Sequence, residues 1–107
     1  LNKIITRKGE VIAQESISIS KSDAESISQK INLLMASSLA EVRRRGSLSS
    51  ELKINANQIN NLGKYLVNKK KGNFVIIARA LDNSQSADKV SVSLELKSPG
   101  KSIKNKS

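Results

Sequence analysis

The chain has 107 residues, 37% apolar and 26% charged, and its 19 Lys+Arg against 9 Asp+Glu leave a formal charge of +10. That length bounds it to one domain, and with Tyr65 and Phe74 as the sole aromatics its core must be aliphatic. Cysteine and histidine are absent, which excludes disulfides, thiol nucleophiles, imidazole bases and nearly all zinc or transition-metal sites.

No apolar run approaches the roughly 18–20 residues of a membrane-spanning helix, and the first residues do not lead into a signal-peptide apolar stretch. A soluble intracellular protein, cytoplasmic or nuclear/nucleoid, without membrane contact is expected. The first residue is Leu1, so residues ahead of it have to be allowed for.

In chain order, Lys3-Ile4-Ile5-Thr6 and Glu10-Val11-Ile12-Ala13 read as short β runs around Arg7-Lys8-Gly9, a hairpin or an extended arm over residues 1–15. Ser16-Ile17-Ser18-Ile19-Ser20 alternates polar and apolar residues, the period of a strand with one buried face. Ser22-Asp23-Ala24-Glu25 is a capping box that starts a helix. Behind it Ile27, Ile31, Leu34, Met35, Ser38 and Val42 fall on one helical face, and Arg43-Arg44-Arg45-Gly46 ends it with cations at the negative dipole end and a glycine for the left-handed cap.

Glu51-Leu52-Lys53-Ile54-Asn55-Ala56 alternates again, with Leu52, Ile54 and Ala56 inward, and Asn57 is placed to cap a second helix carrying Ile59, Leu62 and Leu66. That helix ends in Lys69-Lys70-Lys71-Gly72. Phe74-Val75-Ile76-Ile77-Ala78 has the continuous apolar pattern of a central strand covered on both faces. The polar loop Asp82 to Asp88 joins it in a hairpin to Lys89–Lys97, where Val90, Val92, Leu94 and Leu96 share a side. Residues 99–107 form a basic tail expected to be disordered, leaving a folded domain over 16–98. The fold class is α/β: a small mixed sheet in β-α-β-α-β-β order with two helices on one face.

This order resembles the Alba superfamily of small basic nucleic-acid-binding proteins. Lys21, after Ile17-Ser18-Ile19-Ser20, matches the lysine that meets the sugar-phosphate backbone in that family, and Leu52 to Lys64 resembles its second strand and helix. The turn Asn55-Ala56-Asn57-Gln58 lacks the family's glycines, and the hairpin tip between Asp82 and Asp88 holds two acids and no cation. The sporulation protein SpoVS looks like the same arrangement and is the second family reading. The Alba resemblance implies a dimer, either a homodimer or a heterodimer with a paralogue.

A charge of +10 on so short a chain points to a polyanionic partner, because bound Lys and Arg release condensed counterions. The candidate nucleic-acid contacts are Lys21, Arg43, Arg44, Arg45, Lys53, Asn57, Gln58, Lys69, Lys70 and Lys71: cations for phosphates and side-chain amides as extra donors. Capping and solvation account for the two basic helix ends equally well. Tyr65, off the main apolar stripe, is expected to be partly buried. No paired-acid motif and no phosphate-binding glycine loop appears, so neither an enzyme nor a cofactor is expected. The expected function is nonenzymatic binding of the DNA or RNA backbone with little sequence specificity, as in chromatin. The alternative is a structural or regulatory subunit of a larger protein or ribonucleoprotein assembly, a SpoVS-like sporulation regulator included. The first reading requires the surplus cations to gather on one side of the folded body.

Overall fold

The computed structural model describes residues 3–20, 24–69 and 71–98. The chain forms β1 (Ile4–Thr6), β2 (Val11–Ile19), α1 (Ala24–Arg44), β3 (Lys53–Ile54), α2 (Ala56–Val67), β4 (Gly72–Ala80), β5 (Ser84–Gln85) and β6 (Ser91–Lys97). Four strands make a mixed sheet in the order β2-β4-β6-β3, with β4 antiparallel to both of its neighbours and β3 parallel to β6. β1 and β5 form a separate two-stranded ladder.

Alternation along each strand decides which face is covered. Ile17 and Ile19 of β2 pair with Phe74 and Gly72, and Ile76 and Ala78 of β4 pair with Leu96 and Leu94 of β6. These side chains meet Ile27, Ile31 and Leu34 of α1 and Leu66 of α2 in one aliphatic core. A second, smaller cluster gathers Ile5, Ile12, Val42, Ala80, Val90 and Val92 at the other end of the sheet. The apolar face read for α1 is the buried one: Ile27, Ile31, Leu34, Ser38 and Val42 all lie inside, and the Ser38 hydroxyl donates to the Leu34 carbonyl at 2.7 Å.

Several sequence expectations need correction. The runs at Glu10–Ala13 and Ser16–Ser20 are not separate strands: β2 passes through both, with a bulge between Val11 and Ala13. β1 pairs with β5, inside the loop between the long hairpin strands, instead of folding back on β2. The Thr6 hydroxyl on Asp82 and the Lys8 amide on Asn83 bind the arm to that loop.

The second helix starts earlier than expected, because the Asn55 side chain accepts the Asn57 amide at 2.8 Å and turns the chain there. Ala56 is therefore an exposed first-turn residue and not an inward strand position. β4 is central but has helices on one side only. On the other face Val75 and Arg79 are half-buried, and Ile77 is buried. Tyr65 is 48% exposed and not part of the core. Ser22 and Asp23 of the capping box and the tail over 99–107 lie outside the described residues.

At the end of α1 the Ser47 amide bonds to the Val42 carbonyl and the Gly46 amide to the Arg43 carbonyl, the paired bonds of a Schellman cap. Gly46 has φ +114°, so glycine serves there as the left-handed stop.

Candidate nucleic-acid interface

The two basic helix ends lie at opposite ends of the molecule. α1 and α2 are antiparallel: Ala24 and Ile27 line one groove with Val67 and Asn68, while Ile31 and Asn32 line it with Ile59, Asn60 and Gly63. The end of α2 thus sits beside the start of α1. The 21 residues of α1 then carry Arg43 and Arg44 about 30 Å away at 1.5 Å per residue.

At the α1 end two of the three consecutive arginines are committed to acids. Arg44 grips Glu41 with two guanidinium nitrogens at 3.0 and 2.7 Å, and Arg45 donates to Glu41 at 2.8 Å. Arg45 also reaches Glu10 at 3.0 Å and the Ile5 carbonyl at 3.2 Å, so it fastens α1 to the N-terminal arm. The bonds from Arg44 and then Arg45 hold the Glu41 carboxyl down at about 2. Glu10 is also lowered, first by the Arg7 backbone amide and then by Arg45. Arg43 is exposed and has no acidic partner among the described residues. Exposed Lys3, Arg7 and Lys8 lie near Glu10, Asp82 and Asp88, which leaves this end mixed in sign.

The sheet consumes further cations. Arg79 donates to Glu95 at 2.6 Å and to the Gly9 carbonyl at 2.8 Å, and this bond lowers the Glu95 carboxyl. Lys30 pairs with Glu15 at 3.8 Å and Lys89 with Glu51 at 3.2 Å. Gln58 is likewise occupied: its side chain accepts the Leu94 amide at 3.0 Å and donates to the Leu94 carbonyl at 3.2 Å. Asn57 is exposed in the first turn of α2, and Lys53 is exposed on β3 at the far edge of the sheet.

The α2–β4 end differs. Lys64 and Lys71 are exposed and have no acidic partner among the described residues, and the Lys69 ammonium lies 4.7 Å from the centre of the Tyr65 ring. Lys97 reaches the same end of the sheet, since it pairs with Val75, and touches Glu95 only at 3.9 Å. Glu25, in the first turn of α1, also lies at this end. Lys64 was missed by sequence reasoning because it stands alone between Gly63 and Tyr65. The helical spacing 64, 65, 68, 69 puts it on the strip that carries Tyr65 and Lys69. Lys21 and Lys70 lie outside the described residues.

The family model described as the DUF3084-associated C-terminal helical hairpin matches residues 6–103. The chain belongs to that family. This overturns the resemblance to the Alba superfamily and to SpoVS, neither of which matches. The resemblance rested on element order and a few residue types, which small α/β domains of unrelated descent share. In this chain the antiparallel helices α1 and α2 lie on one face of a four-stranded sheet. No curated protein and no solved structure matches the chain. Among the described residues no helix is long and apolar enough to cross a membrane.

Proposed function

We propose that this member of the hairpin family is a nonenzymatic nucleic-acid-binding module that holds the DNA or RNA backbone at its α2–β4 end, with little base readout. Lys64, Lys69 and Lys71 are the principal contacts and Lys97 flanks them. The observation that carries this reading is the uneven distribution of acids. Arg44, Arg45, Arg79, Lys30 and Lys89 are matched to carboxylates; the exposed cations without an ion pair among the described residues are Lys64 and Lys71 at this end and Lys3, Arg7, Lys8, Arg43 and Lys53 elsewhere, and of these Lys3, Arg7 and Lys8 lie near Glu10, Asp82 and Asp88. Four lysines within the eight residues Lys64 to Lys71 give a local positive field that attracts phosphates without demanding a sequence. Lysine is a compact point charge, so its contacts position the polymer instead of reading it. Tyr65 adds an exposed ring beside Lys69 for a base at a single-stranded or frayed position.

The test is a titration of labelled duplex DNA and of RNA across a salt series. The wild-type affinity should fall steeply with salt. Lys64→Ala combined with Lys71→Ala should flatten the log–log slope by roughly 1.4–1.8, at about 0.7–0.9 per phosphate contact. Arg44→Ala should leave the slope unchanged, because that guanidinium is held by Glu41. A flat wild-type slope, or equal losses in both variants, contradicts the reading.

A second reading is favoured by the family description, which names a C-terminal hairpin associated with another region. Under it the module is a structural or regulatory subunit of a larger assembly and its charge serves solubility. A wild-type chain that ignores nucleic acid at low salt would support it.

A further inference from the structure

β2 lies at the end of the sheet, and among the described residues its outer side carries no strand from Val11 to Ile19. Long exposed edges normally carry protection such as a proline, an outward lysine or a bulge. Here the bulge falls between Val11 and Ala13, leaving the second half of the strand regular and open. Beside that half runs a groove of about 960 Å³ between the edge and α1, lined by Ile17, Ile19, Ile27, Gln29, Lys30 and Leu33. Leu33 is 48% exposed there.

The open stretch reads the same in both directions: Ser16-Ile17-Ser18-Ile19-Ser20 is a palindrome about Ser18. Two antiparallel copies related by a two-fold axis at Ser18 therefore set Ser16 against Ser20 and Ile17 against Ile19. All apolar pairs then fall on the helix face and all serines on the open face. This register is allowed whichever set of backbone groups points outward, because the axis falls on a bonded or a non-bonded pair equally well.

The helix layer fits as well. α1 packs across β2 and β4. Continuing the sheet at about 4.8 Å per strand sets the two α1 axes about 10 Å apart, close to the 8–10 Å of packed helices. Both Leu33 side chains would then flank the seam. We infer that a second copy of this chain occupies the edge, giving a two-fold dimer with a continuous eight-stranded sheet and α1 against α1. Self-complementarity about one residue distinguishes this occupant from an extended segment of another protein, which needs no palindrome.

Sedimentation of the full chain over a dilution series tests the inference. Ser18 is exposed and its hydroxyl donates to the Asn73 side chain, so Ser18→Lys and Ser18→Asp alter the surface and leave the core alone. Each variant, checked for wild-type circular dichroism, sets like charges face to face on the axis and should raise the dimer dissociation constant several-fold. An equal mixture of the two should restore dimers, a rescue that only an axis through Ser18 provides. A wild-type chain that stays monomeric at every concentration overturns the inference. So does a Ser18→Lys variant that dimerises like wild type, or a mixture no tighter than the separate variants.

Discussion

Glu41 shows how one carboxylate can decide whether an arginine is available to a ligand. It accepts from both Arg44 and Arg45, and its carboxyl is held at about 2 against an ordinary 4.5. An unfolded chain protonates this group near the ordinary value while the folded chain does not, so the group favours folding above that value. The contribution is lost as pH falls from about 4.5 towards about 2. Glu41→Gln should therefore lower the thermal midpoint by a few degrees at neutral pH, with the gap to wild type closing as the pH approaches about 2. Melting curves across that range check it, and a gap constant with pH would contradict the role given to the charge. The Arg43-Arg44-Arg45 run looks like a phosphate site in the sequence, but nothing in the run itself announces that Glu41 and distant Glu10 take two of its three cations.

The elements were legible where a period repeats and obscure where a side chain replaces the backbone. Ile27, Ile31, Leu34, Ser38 and Val42 are buried as their spacing requires, and Val92, Leu94 and Leu96 share the helix face of β6. β3 is shorter than its alternation implies because Asn55 caps α2 immediately after Ile54. Gln58 then carries on the ladder that β3 leaves off, since its amide both donates to and accepts from Leu94. Alternation cannot reveal a helix side chain standing in for a strand, so the sequence alone offers Gln58 only as a candidate donor to nucleic acid. Gln58→Ala should strip two partly buried Leu94 groups of their partner and cost about 1–3 kcal/mol. Urea unfolding measures this. A nucleic-acid affinity unchanged in the folded variant would fit its structural role, and lost affinity with unchanged stability would restore the binding role.

Across the whole molecule, the composition established the size of the charge surplus but not its distribution, which depends on pairs as distant in sequence as Arg79 with Gly9 or Lys89 with Glu51. The expected gathering of all basic runs on one track is corrected to one end, because α1 separates Arg43 and Arg44 from Lys69 and Lys71 by its own length. An α/β fold with two helices and a mixed sheet was legible, while the β1–β5 ladder was not, since three- and two-residue strands leave no period to read. The most direct measurement is an amide-resolved NMR titration of the chain with a short duplex. The account predicts shift changes concentrated at Lys64 to Asn73 and at Lys97, fading as salt is raised. Shifts centred on Arg43 to Gly46, or no shifts at low salt, would contradict it.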